Sequence, residues 1–93
     1  MFMKSVTKTT QNIILEGSMQ AKVVAEQIGK PYSTLLREIN PFDMNAKLGA
    51  ETLLEIMRVT RNLAPLEFMA RELGYNIVPE DLAGDTTGRA FGG

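Results

Sequence analysis

The sequence predicts an all-α domain, and three observations carry that prediction. Apolar residues recur three and four positions apart along most of the chain, no segment alternates convincingly as a strand would, and glycines and prolines fall at the ends of short periodic stretches. The 93 residues make one domain, because neither half alone could bury enough apolar surface. Five helices are expected.

The first covers about residues 5 to 16, with Val6, Thr10, Ile13 and Ile14 on one stripe. Gly17 stops it and Ser18 is placed to cap the second helix, about 19 to 28, whose stripe is Ala21, Val24, Ala25 and Ile28. Gly29 ends that helix. Pro31 suits the first position of a third, since its ring presets a helical φ and its missing N–H is not needed there. The third helix stops near Ile39, because Asn40 precedes Pro41 and is pushed out of the helical region. "NPFDMNAKLG" reads as a loop. The fourth helix, about 49 to 62, carries Ala50, Leu53, Leu54, Ile56 and Met57 over a wide arc and is expected to be the central, most buried one. Pro65 opens the fifth, where Leu66, Met69, Ala70 and Leu73 make a stripe, Glu67 and Arg71 stand in the favourable i, i+4 order, and Gly74 closes. The pattern dissolves after Tyr75. Residues 1–75 are therefore read as the helical domain and 76–93 as a flexible tail, extended or disordered, whose Ile77, Val78 and Leu82 could dock on a partner subunit.

Composition narrows the function. With 44% apolar and 23% charged residues the chain is an ordinary globular one. No apolar run reaches the roughly 18 to 20 residues of a membrane span, and "MFMKSVTK" is too short in apolar residues for a signal peptide, so a cytoplasmic protein without membrane contact is expected. Cysteine and histidine are both absent, which removes thiolate sites, the commonest metal ligand and the commonest general base. Glu51 and Glu55 share a helix face and read as a solvated pair rather than a catalytic one. No catalytic residue, metal or cofactor is expected. The net charge of −1 argues against a strongly basic nucleic-acid binder, but it hides an asymmetry. Residues 1–48 hold six Lys/Arg against four Asp/Glu, a balance of +2, and residues 49–93 hold four against seven, a balance of −3.

The basic half contains "AEQIGKPYSTLLREINP", residues 25–41, where the residue types of a helix-turn-helix recur at its spacing. Ala25 is the small residue at the helix crossing, and Gly29 stands four later where the turn needs a left-handed backbone. Val24 and Ile28 anchor the first helix; Leu35 and Ile39 anchor the second. Around the third helix, Tyr32, Leu35, Leu36 and Ile39 cluster toward the core, although the Tyr32 hydroxyl at the first turn could still reach a phosphate, while Lys30, Ser33, Thr34, Arg37 and Asn40 fall opposite. That outward set consists of hydrogen-bond donors. Arginine can grip guanine bidentately and asparagine adenine, and hydroxyls suit phosphates. Lys22, near the start of the second helix, sits where that helix would cross the phosphate backbone. A corner in a plain helical bundle would also carry a small residue and a glycine, so the donor face is what separates the two readings.

The order of "AEQIGKPYSTLLREINP", a loop, and "LGAETLLEIMRVTRNLAPLEFMARELGY" resembles the CII-type regulatory proteins of temperate phages and, more loosely, lambda-repressor-like domains. The likeness runs over roughly residues 8–78 and includes the Asn40-Pro41 ending and the Leu53 to Met57 core. It implies a five-helix lambda-repressor-like domain, binding to double-stranded DNA and control of transcription, commonly as a homodimer or higher homo-oligomer. One departure is Glu38, which occupies a place that is apolar in most helix-turn-helix units, with Ile39 taking the anchoring role. Self-association has separate support in Phe68, Val23 and Val59, which lie off the main stripes as a partner surface would require. The rival function is a helical protein-interaction module, antirepressor-like, that uses the same bundle without touching DNA.

Overall fold

The computed structural model describes residues 4–80, which form five α-helices and no strand. They are α1 (Ser5–Leu15), α2 (Ala21–Ile28), α3 (Tyr32–Glu38), α4 (Ala50–Thr60) and α5 (Ala64–Glu72). The all-α expectation holds. Leu82 and the glycine-rich stretch after it lie outside the described residues.

Two helices form the hub. α1 packs against α2, α4 and α5, and α2 packs against α1, α3 and α4. The core where they meet is Ile14, Val24, Ala25, Leu35, Ile39 and Ile56, with Ile13, Met19, Ala21, Ile28, Leu36 and Leu48 packed around it. α4 supplies more buried side chains than any other helix (Leu53, Ile56 and Met57), yet it is not central. Its Ala50 and Leu54 face solvent, because α4 is covered mainly from the side of α2 and α1. Thr10 is fully buried in α1, and its Oγ1 donates to the Val6 carbonyl at 2.8 Å, so no polar group is left unsatisfied there.

Four local expectations need correction. Ser18 caps nothing: residues 16–19 form bends, α2 begins at Ala21, and the preceding Gln20 makes no side-chain cap. The chain is tight at this corner, since a Cβ on Gly17 would collide with the Ile13 carbonyl. Pro31 stands one residue before α3 rather than inside it, with φ −59° and ψ 140°, and its carbonyl accepts the Leu35 N–H at 3.0 Å. In α5 the inward arc is Pro65, Phe68 and Met69, and the stripe edge of Leu66 and Leu73 is exposed, at 38% and 75%. Phe68 therefore points into the groove against Val6 of α1 and Leu48 rather than away from the bundle. Glu67 and Arg71 form no ion pair, while Glu55 is paired with Arg58 three residues on.

The crossing of α2 and α3 gives a first prediction. Ala25 is 2% exposed, in the core cluster with Val24, Leu35 and Ile39. Ala25→Leu should overpack the crossing and destabilise the fold by about 1 to 3 kcal/mol. A thermal melt superimposable on that of the wild type would show that α3 does not lie against Ala25.

Candidate nucleic-acid interface

The turn between α2 and α3 is set by Gly29, with φ 75° and ψ 33°, a left-handed conformation that costs side-chain-bearing residues energy. The Lys30 N–H donates to the Ala25 carbonyl at 2.9 Å and the Gly29 N–H to the Glu26 carbonyl at 3.2 Å. This double closure satisfies the last carbonyls of α2 and fixes the direction in which α3 leaves. The chain then runs extended through Pro31, and α3 returns across α2 with Leu35 and Ile39 fully buried. Ile39 is buried where helix-turn-helix spacing expects an anchor, and the neighbouring Glu38 is ion-paired with Lys30.

Packing of α3 on α2 leaves its other side open. Ser33 and Arg37 are exposed, and Lys22 is exposed on the first turn of α2. Thr34, Asn40 and Lys30 are half-buried. Tyr32 is 44% exposed rather than buried with Leu35 and Ile39, so it joins the solvent-accessible set. The Asn40 side chain has a local partner: its Oδ1 accepts the Phe42 N–H at 2.9 Å, which shapes the turn after α3 and engages one lone pair of the oxygen that an adenine amino group would use.

Both long cations of this face have acidic partners. Lys30 Nζ lies 3.2 Å from Glu38 Oε1 and donates to Oε2 at 3.3 Å, linking the turn to the end of α3. Arg37 Nε donates to Asp43 Oδ2 at 3.1 Å, with the rest of the arginine side chain largely open to solvent. Asp43 is itself fixed, since its Oδ1 accepts the Asn45 N–H at 2.9 Å. The hydrogen bond from Arg37, followed by that from the Asn45 backbone, holds the Asp43 carboxyl below its ordinary range. The sign follows directly: the depressed carboxyl stays ionised through neutral pH, and the pair opens only as pH falls through that lowered value. Glu26 shares the Lys22 face one turn on. The surface is thus a row of donors with interleaved acids, not a continuous basic field.

Lys22, Ser33 and Arg37 therefore reach solvent as predicted, Lys30 does so while tied to Glu38, and Thr34 and Asn40 stand at the margin. Helical spacing favoured the core for Tyr32, which the structure leaves 44% exposed, and pointed nowhere to Asp43. The only signal for Asp43 was the Asn-Pro turn, which reverses the chain and brings an acid six residues downstream back to Arg37.

Residues 4–88 match the family model described as phage regulatory protein CII (CP76). No curated protein and no solved structure matches the chain.

Proposed function

The chain belongs to the phage regulatory protein CII family, and from that premise we propose that it is a sequence-specific DNA-binding regulator of transcription. In this reading α2–turn–α3 is a helix-turn-helix, and α3 enters the major groove. The observation that carries the reading is the left-handed Gly29 turn with Leu35 and Ile39 buried, because it presents Tyr32, Ser33 and Arg37 outward together. Arg37 contacts a base edge. Ser33, Thr34 and Tyr32 supply hydroxyls for phosphate or base, Lys22 and Lys30 meet the backbone, and Asn40 closes the edge of the contact surface.

The interleaved acids have a consequence. With few unopposed cations, one protomer neutralises few phosphates and binds weakly. Two copies spanning half-sites roughly 34 Å apart would double the contacts. The protein therefore acts as at least a dimer. The apolar edge of α5, Leu66 and Leu73, is the better candidate for the contact than Phe68, which faces α1.

The test is a titration of the protein with DNA flanking its own gene and with a scrambled duplex, beside sedimentation at tens of micromolar. Tighter binding to the flanking DNA by a dimer or larger species is expected. Equal affinity for both duplexes, or none at low salt, would hand the case to a protein-interaction module, and a monomer throughout would remove the half-site argument.

A further inference from the structure

Asp43 lies in the loop between α3 and α4, beyond the residues that helical spacing assigns to the interface, yet it makes the only side-chain hydrogen bond to Arg37 among the described residues. We propose that Asp43 is a positioning residue for base recognition: it holds Arg37 by its Nε–H so that the two terminal Nη groups present an end-on fork to guanine. The inference rests on the DNA-binding reading above and adds how that reading acquires its specificity.

The donor geometry of arginine leads to this assignment. A guanidinium carries five N–H bonds, one on Nε and four on the two Nη atoms. Guanine offers O6 and N7 side by side in the major groove, a pair of acceptors that two parallel N–H donors can meet. With Nε committed to Asp43 Oδ2 at 3.1 Å, the donors left free are those of the Nη pair, at the end of the side chain where a base edge would lie. An arginine with no partner samples many rotamers and can also donate to phosphates on either side. Fixing the plane of the guanidinium before DNA arrives leaves less freedom to lose on binding and favours one kind of contact.

Asp43 can do this because its own position is determined. Its Oδ1 accepts the Asn45 N–H, its backbone N–H donates to the Asn40 carbonyl at 3.1 Å, and its carbonyl accepts from Lys4 Nζ at 2.8 Å. Lys4 also donates to the Ala46 carbonyl at 3.0 Å, so the start of α1 is tied across 39 and 42 residues to the loop that carries the acid. The loop is braced from behind, and Asp43 passes that rigidity to Arg37. A carboxylate facing DNA without such a role would only repel phosphates.

The experiment compares wild type, Asp43→Asn, Arg37→Ala and the double variant, using the flanking DNA and the scrambled duplex. Asparagine keeps an acceptor for the Asn45 N–H, and a thermal melt of each variant reports whether the loop stays folded. In the wild type without DNA, the Arg37 Nε–H should give a resolved, exchange-protected resonance in the arginine side-chain region of a nitrogen–proton NMR spectrum. Asp43→Asn should weaken that protection. The same variant should lower the ratio of flanking to scrambled affinity by roughly threefold to tenfold, with scrambled DNA bound as well as before or better. In the Arg37→Ala background the substitution should leave the ratio unchanged. Asp43→Asn tightening both duplexes by one factor, in both backgrounds, would reduce Asp43 to a repelling charge and overturn the proposal while the DNA-binding reading stands. An unprotected Nε–H in the wild type would overturn it as well. A wild type that does not distinguish the duplexes would remove the DNA-binding reading and this inference with it.

Discussion

Leu35→Ala is expected to lower the melting temperature by at least about 8 °C and to release α3 from the bundle. Leu35 is fully buried and, with Ile39, is what fastens α3 to the core at Val24, Ala25 and Ile56. Truncating such a leucine costs about 2 to 5 kcal/mol, the lost transfer energy plus the cavity left behind. A domain of this size is stable by roughly 5 to 10 kcal/mol, so the loss is a large part of the whole. At about 4 to 8 °C per kcal/mol, the shift lies between roughly 8 and 40 °C. α3 has little other attachment, since its substantial packing is against α2 alone. Leu54→Ala is the control. That leucine is 44% exposed on α4, and its truncation should move stability by about 0.5 kcal/mol or less. Circular-dichroism melts of the two variants check the difference. Similar melting for both would mean that Leu35 is not the fastening point.

The residues that make this contrast differ in how legible they were. Val24, Ala25, Leu35 and Ile39 follow from helical spacing because each is buried between two helices, so local pattern and tertiary environment agree. Leu54, Leu66 and Leu73 have the same chemistry at the same spacing, and nothing local says which edge of a wide apolar arc will be covered. That depends on the rotation of each helix about its axis. Pro65 is buried in α5 and turns Phe68 and Met69 toward α1, which leaves the leucine edge out. The donor face of α3 was legible for the complementary reason, since its orientation is fixed once Leu35 and Ile39 are inside. Its ion pairs were not. Lys30–Glu38 and Arg37–Asp43 join residues eight and six apart, spacings that no helix brings together, and both depend on how the chain enters and leaves α3. The pairs matter for the proposed function because they take two of the cations that a count of charges would have given to DNA.

Removing Arg37 should therefore separate base reading from charge. On the flanking DNA, Arg37→Ala should cost about 1 to 3 kcal/mol, the value of a good bidentate base contact, or roughly fivefold to 150-fold in affinity. Scrambled DNA should lose much less. Some loss on both duplexes is expected even so, because the substitution leaves the half-buried Asp43 carboxylate without its partner on the surface proposed to meet phosphates. Arg37→Ala combined with Asp43→Asn removes that repulsion and isolates the base contact. Lys22→Ala is the contrasting case. Lys22 is exposed on α2 with no ion-pair partner among the described residues, so its loss should weaken all sequences alike and reduce the slope of log affinity against log salt by about one per lost contact. Lys30→Ala should behave in the same way only when Glu38 is changed to Gln as well, since Lys30 otherwise leaves behind a half-buried carboxylate. Titrations of each variant against both duplexes at several salt concentrations give the comparison. Equal losses on the two duplexes for the Arg37→Ala, Asp43→Asn pair would make Arg37 a phosphate contact, and sequence would then have to be read by the hydroxyls of Tyr32, Ser33 and Thr34.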